Sequence, residues 1–417
     1  MFSRPIAAAA AVVVIASVLA ACGGSGADKP TGLSGSAGSG AAAAPTKSPL
    51  DVFFINEQGS TTGASYPQET TAAKATVEYI NTKLGGVDGH PIKLATCFTD
   101  TTPASTTTCA NKAVSANPVL ITAGTLATDD SIIAVTGKTD IPYVSNAGYT
   151  ADTLTAKGKA FIVSNYADAN DTAFPILMKR NGVKKVAEVY VNVPGVVNGL
   201  LPLIKKAFEA QGIAYDLYPV PYPSSDLTPT VSAIARTDAD AVHFQTDPVT
   251  CGAALNAIKT FQFTKPLYAG PACRTPANIA VVSSLPQTVY GQLGALPGDS
   301  DDPDAAVLRE VFAAAGLTNK LNDQWAVDGF TDIMNIYGAL KKASQAGGDI
   351  TSASVVKALQ GGGIHQFLMG KNTTFTCDGT VLPDLPALCS LTALVGVWKG
   401  NKIDKVQTIN GADVFKK

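Results

Sequence analysis

The side chains able to do chemistry are few and widely spaced. Seven cysteines stand at 22, 97, 109, 251, 273, 377 and 389, with three histidines at 90, 243 and 365. A thiol can attack an electrophile, hold a metal or form a disulfide. Metal binding is disfavoured, because no C-x₂-C appears and the histidines are scattered. No G-x-S-x-G elbow, no H-E-x-x-H and no phosphate-binding P-loop is present. Gly298-Asp299-Ser300 has the letters of a hydrolase start, but it lies deep in the chain, and His365 is the only later histidine. Asp299, Asp301, Asp302 and Asp304 are carboxylates that could meet Ca²⁺. They read more simply as a solvated loop whose last members favour the N-terminus of the next helix. No metal, no cofactor and no catalytic residue is expected.

Cys22 separates from the other cysteines by context. Arg4, an apolar run from Ile6 to Ala21 and then Cys22 form a secretory signal ending in Leu19-Ala20-Ala21-Cys22. That ending looks like a bacterial lipobox, in which the thiol takes a diacylglyceryl group and the chain is cut just before it. Residues 1–21 are therefore expected to be removed, and 22–49 to form a Gly/Ser/Ala-rich tether. About 25 such residues span roughly 28 Å, enough to hold a body just off a membrane. An exported chain meets oxidising conditions, so the remaining six cysteines are expected as disulfides between nearest neighbours: Cys97–Cys109, Cys251–Cys273 and Cys377–Cys389.

Composition agrees with an exported globular body. Of 417 residues, 46% are hydrophobic and 15% charged, enough apolar material for a large core and against wholesale disorder. Thirty-one basic against 33 acidic residues leave a net charge of −2, without the excess that phosphate binding needs, so no nucleic-acid partner is expected. The length suits two or three domains.

From Leu50 short β-rich runs alternate with helical stretches. Strands are expected at Val52–Ile55, Ile92–Ala95, Pro118–Ile121, Pro142–Val144 and Phe161–Val163, with helices between them. The rhythm restarts with a helix over Asp171–Arg180 and strands at Val186–Val191, Ala214–Val220, Ala241–Phe244 and Pro266–Ala269. Thr288–Leu293 reads as a segment leading back toward the first half. Helices follow at Pro303–Ala315, Gln324–Gln345 and Ser352–Gln360, then a last strand at Leu391–Trp398. β-α-β order implies parallel sheets with helices on both faces, and here two such sheets in series. Ligands of open α/β sheets bind beyond the carboxyl ends of the strands. The loops there, Asn56–Ser65, Ala123–Thr128, Ser145–Thr150, Asn192–Asn198, Thr246–Thr250 and Pro271–Thr275, are small and polar. They suit hydrogen bonding to a small polar molecule, and equally they suit plain solvation.

The order of lipobox, tether, VFFINEQGSTTGASYPQ, YINTKLGGVDGHPIKL, ITAGT and IPYVSNAGYT resembles the type I periplasmic-binding-protein family. Within it, the chain looks most like the substrate-binding lipoproteins of branched-chain amino acid-type ABC importers, in an actinobacterial-like, cysteine-rich subgroup. The resemblance implies an α/β fold of two doubly wound lobes joined by three crossovers, residues 50–164 plus 297–390 and 165–296 plus 391–417, with a ligand cleft between them. It implies a monomer, anchored by lipid to the outer face of the cytoplasmic membrane, that carries a small solute (an amino acid, amide, or organic or aromatic acid) to an ABC permease. A sensory receptor module of the same fold is the alternative.

The resemblance also implies site residues. Tyr66 and Tyr149 would wall the ligand, as would Trp325 if it faces the cleft. Gly124 and Thr125 would hold a ligand carboxylate through N–H and hydroxyl, helped by Ser145 and Ala147. Asn192, Thr246 and Asp247 would line the second lobe. The acidic residue that usually follows Gly270-Pro271 is replaced by Ala272, so Asp247 is the candidate counter-ion for an ammonium. It precedes Pro248 and could instead cap the following helix.

Overall fold

The computed structural model describes residues 43–59, 65–193, 196–400 and 402–416. The signal, Cys22 and most of the tether lie outside that range, as do residues 60–64 of the first strand-end loop and residues 194–195. Among the described residues no helix is long and apolar enough to cross a membrane.

The first half runs β1 (Leu50–Glu57), α1 (Pro67–Lys83), β2 (Ile92–Thr99), α2 (Pro103–Ala116), β3 (Leu120–Ala123), α3 (Asp130–Thr136), β4 (Tyr143–Ser145), α4 (Ala151–Thr155) and β5 (Ala160–Ile162). The second half runs α5 (Tyr166–Arg180), β6 (Lys185–Val191), α6 (Leu201–Gln211), β7 (Ala214–Val220), α7 (Thr228–Ile234), β8 (Ala241–Gln245), α8 (Pro248–Thr260), β9 (Leu267–Ala269), α9 (Pro276–Val282) and β10 (Val289–Leu293). The chain then returns through α10 (Pro303–Ala314), α11 (Gln324–Gln345), α12 (Ser352–Gly361) and the short pair β11 (Ile364–His365) and β12 (Thr374–Phe375). It ends with β13 (Thr392–Lys399) and β14 (Lys402–Asn410).

Two sheets result. The first has the order β2-β1-β3-β4-β5 and every pairing in it is parallel. The second has the order β14-β13-β10-β9-β8-β6-β7, parallel except where β13 runs against β10 and β14. That antiparallel edge departs from the all-parallel expectation. β14 (KIDKVQTIN) was not legible because only Ile403 and Ile409 of its side chains are buried, with Val406 half-buried and the rest exposed. Val289–Leu293 is a full member of the second sheet, and the chain turns back only after it. Central β1 is buried along almost its whole length, as a strand covered by helices on both faces must be.

Each sheet carries two apolar layers. In the first lobe, α1, α10, α11 and α12 pack on one face and α2, α3 and α4 on the other. In the second lobe, α7, α8 and α9 cover one face and α5 and α6 the other. The chain passes between the sheets three times, after β5, after β10 and before β13. All three nearest-neighbour disulfides form: Cys97–Cys109 ties β2 to α2, Cys251–Cys273 ties α8 to the turn after β9, and Cys377–Cys389 closes a loop ahead of β13. This loop is held on the first sheet by Ile162 N–H donating to Ala387 O (2.8 Å) and Cys389 N–H donating to Ile162 O (2.8 Å).

Candidate functional site

In the first sheet the strand order reverses between β1 and β3, so the loops leaving these neighbours part and open a crevice. Gly124 and Thr125 follow β3, Ser145 ends β4, and Asn146, Ala147 and Tyr149 follow it. All six line one recess. The other wall comes from two helices. The start of α1 supplies Glu69, and α11 supplies Asp328 and Asp332, four residues apart and hence on one face. Gly329, between the two aspartates, lets α11 approach α1: a Cβ there would run into the Glu69 carbonyl oxygen.

The three carboxylates dominate the chemistry. Glu69 is fully buried and accepts from Thr125 N–H (2.8 Å, to Oε2) and from Thr125 Oγ1 (2.6 Å, to Oε1). Burial lifts its pKa to about 8; the Thr125 hydrogen bonds pull the other way, and the charges of Asp328 and Asp332 add to the rise. Asp332 accepts from Thr122 Oγ1 (2.6 Å) and Asn146 N–H (3.1 Å), and burial carries it to about 8. Asp328 is lifted to about 7, again by burial, with a Gln324 hydrogen bond opposing. Asn146 fixes the β4 loop to α11 by donating Nδ2–H to Thr331 Oγ1 (2.8 Å) and accepting from Asn335 Nδ2 (3.0 Å). The recess is small. Its free space of about 30 Å³ admits two or three waters at about 10–15 Å³ each. Acceptors that burial has made reluctant to ionise, in so small a space, suit a compact hydrogen-bond donor or ammonium.

The candidates taken from the sequence are used in different ways. Gly124 serves by lacking a side chain, since a Cβ would collide with Glu69 Oε2 and lie 2.6 Å from Asn56 Oδ1. Both donors of Thr125 that were expected to meet a ligand carboxylate are engaged by Glu69. Ser145 is buried, donates to Ala123 O (2.9 Å) and accepts from Ala147 N–H (3.4 Å), so its hydroxyl shapes the loop. Tyr149 leaves its ring exposed while its N–H donates to Asp129 Oδ2 (2.8 Å). Tyr66 and Trp325 contact one another, their ring centroids 4.6 Å apart and their planes tilted by 45°, and neither lines the recess. Burial, the charges of Glu57 and Glu69, and Tyr222 from the second lobe together push the Tyr66 hydroxyl to about 12.

In the second lobe Asn192 is exposed, with its N–H donating to Val220 O (2.8 Å). The Thr246 hydroxyl is buried. Asp247 caps α8, accepting at Oδ1 from Val249 N–H (2.9 Å) and Thr250 N–H (3.1 Å) and at Oδ2 from the Thr250 hydroxyl. Asn192, Thr246 and Asp247 do not line the recess. The acids missed in the sequence left two signals there: Asp328 and Asp332 at i and i+4, on a polar face of α11 shared with Thr331 and Asn335, and Glu69 three residues past Tyr66.

The acidic run is structural. Asp302 caps α10, and Asp304 accepts from His365 Nε2 (2.8 Å) and Leu368 N–H (2.8 Å). Among the described residues no group of three or more His, Cys, Asp or Glu is placed to hold a metal ion.

A model of the family described as periplasmic binding protein matches residues 53–387. No curated protein matches the chain. Solved structures match along nearly the whole body. A branched-chain amino acid ABC transporter protein from Thermus thermophilus with bound valine aligns at TM-score 0.70 and 14% identity, covering 88% of this chain and 98% of that one. A fatty acid ABC transporter substrate-binding protein from Thermomonospora curvata aligns at TM-score 0.65 and 15% identity, covering 88% and 93%. A solute-binding protein from R. palustris in complex with benzoate aligns at TM-score 0.61 and 14% identity, covering 87% and 96%. Three different ligands on one fold leave the solute to be argued from the site itself.

Proposed function

Since the chain belongs to the periplasmic binding protein family, whose members bind solutes outside the cytoplasm rather than transform them, we propose that it is the solute receptor of an ABC importer. It captures a small solute between its two lobes, residues 50–164 plus 297–390 and 165–296 plus 391–417, and presents it to a membrane permease. Cys22 carries the lipid that keeps the monomer at the outer face of the cytoplasmic membrane.

The observation that carries the reading is the recess at the first lobe's switch point, walled by Glu69, Asp328 and Asp332. It supports a solute that offers hydrogen-bond donors, with an ammonium as the best fit. The ammonium counter-ion sought at Asp247 is supplied instead by the first lobe. A ligand carboxylate would have to displace Glu69 from Thr125, which argues against organic acids as the main solute. The closing movement of such a receptor would bring Tyr222 and the second-lobe loops over Tyr66 and Trp325.

A thermal-shift screen of amines, amino acids, amides and organic acids tests this, followed by calorimetry on the hits. Amine-bearing compounds are expected to raise the melting temperature, because a ligand that binds only the native state stabilises it. If no class of compound does so, and the purified protein carries no bound solute, the receptor reading fails. Mass spectrometry of the exported protein is expected to find diacylated Cys22; an unmodified N-terminus at another residue would remove the anchor.

A further inference from the structure

Beside the polar recess lies a second and far larger chamber, of about 970 Å³. We infer that the solute carries an apolar body as well as its donor head, and that this body is seated in the chamber. The inference rests on the receptor reading above and extends it to an amphipathic amine as the substrate class.

Four observations carry it. First, the recess is too small for a whole solute, holding only two or three waters, whereas the chamber falls in the range of drug-sized ligand sites. Second, the two are neighbours. Tyr149 lines both, and Ser164 on the recess side is followed by Asn165 on the chamber side. Third, the chamber wall is largely apolar and draws on both lobes: Leu154 of α4, Leu203 of α6, and Leu382 and Leu385 of the Cys377–Cys389 loop. Two of the large hydrophobic residues left exposed, Tyr149 and Phe415, open onto it, so apolar surface stands uncovered at this place. Fourth, the chamber is bounded by a built element. The disulfide-closed loop belongs to the first sheet yet reaches α6 of the second lobe, where Lys206 Nζ and Asp384 Oδ2 meet at 2.8 Å. A body lying here would be gripped from both lobes while its head sat among the three acids.

The test is calorimetry on the intact protein with ethylamine, butylamine and octylamine, with octanoate as the contrasting head. Affinity is expected to rise roughly fourfold for each methylene buried, the factor that follows from about 0.8 kcal/mol per CH₂. Octanoate is expected to bind more weakly than octylamine.

Gly199 provides the blocking variant. It lines the chamber, and a Cβ there meets nothing within 4 Å. Gly199→Trp is expected to weaken octylamine at least tenfold and to leave ethylamine unchanged, with Gly199→Ala as the mild control. Ethylamine binding by each variant shows that its recess is still folded. If ethylamine binds and the series is flat with length, the chamber inference is wrong and the receptor reading stands. A gain with length that Gly199→Trp does not touch is adsorption elsewhere, and also overturns the chamber. If octanoate outbinds octylamine, the amine class is wrong. If no amine binds at all, the amine class and the chamber inference fall together, while the receptor reading fails only if the wider screen of amides and organic acids is also empty.

Discussion

Each lobe buries acids, but the two sets are treated in opposite ways. In the second lobe Glu188 pairs with His243 Nδ1 at 2.7 Å, both fully buried. Asp171 accepts two hydrogen bonds from Gln245 Nε2, at 2.9 and 3.0 Å. Burial pushes the pKa of both acids up, Asp171 well above the usual range, and neither lines the recess or the chamber. In the first lobe Glu69, Asp328 and Asp332 are held by hydroxyl, amide and backbone donors, form no salt bridge among the described residues, and open onto a recess. A raised carboxyl pKa alone therefore does not mark a binding site. It does so when the acid also faces free space and its partners leave it without a counter-charge.

Removing a partner from the sealed pair is expected to have the largest effect. His243→Leu leaves Glu188 buried without its partner and should destabilise the protein by about 3–5 kcal/mol, read from urea unfolding. Amine affinity of the folded fraction should stay as it was. A stable variant with weakened binding would reverse the roles given to the two lobes.

Next comes Gly329→Ala, whose methyl group meets the Glu69 carbonyl and forces α11 from α1. Overpacking of this kind costs about 1–3 kcal/mol, and here amine binding should fall with it, because the aspartates move away from Glu69. Unaltered binding would show that the helix approach does not build the recess.

Asp328→Asn with Asp332→Asn should act on binding and on the pH dependence of stability. An acid whose folded pKa stands above its unfolded value keeps its proton longer when folded. Its favourable contribution is complete below the ordinary carboxylate range, about 4, and is lost as pH rises through the folded values of about 7 and 8. Wild-type stability should therefore decline between pH 5 and 9, and the double variant should decline less while binding amines at least tenfold more weakly. Equal pH slopes would contradict the burial-driven shifts.

The smallest effect is expected at His365, which lines neither the recess nor the chamber. Burial lowers its pKa, but the Asp304 hydrogen bond and charge, with the Thr373 carbonyl, outweigh it and leave the pKa raised. The pair's contribution is then complete below about pH 6.5 and fades as pH passes the folded value. His365→Gln should cost about 1 kcal/mol or less at pH 5.5, and less still at pH 9. A loss that grows with pH would contradict the sign.

Much of this arrangement was legible in the sequence. Strand-helix alternation gave the parallel part of both sheets, and cysteine spacing gave the three disulfides, because both are local signals. β14 was missed because an exposed edge strand carries few inward side chains. α4 and α9, of five and seven residues, are too short to show a periodicity. The loops after β3 and β4, which line the recess, were picked out in the sequence as a candidate site. The acids were not, because Glu69 reaches Thr125 across 56 positions and Asp332 reaches Thr122 across 210. Whether a carboxylate is spent on capping, as at Asp247, or turned toward a cleft depends on helix packing that a strand-end motif does not record.

The central claim is that the first-lobe acids receive the solute's ammonium, and proton release tests it most directly. Titrating octylamine at pH 7.5 in two buffers of different ionisation enthalpy gives the protons exchanged on binding. Because Glu69, Asp328 and Asp332 have pKa values of about 8, 7 and 8, they are partly protonated there, and a bound ammonium should expel about one proton or more. The release should shrink, and the affinity fall at least tenfold, in the Asp328→Asn/Asp332→Asn variant. Octylamine binding that releases no proton and is equally tight in the variant would contradict the account.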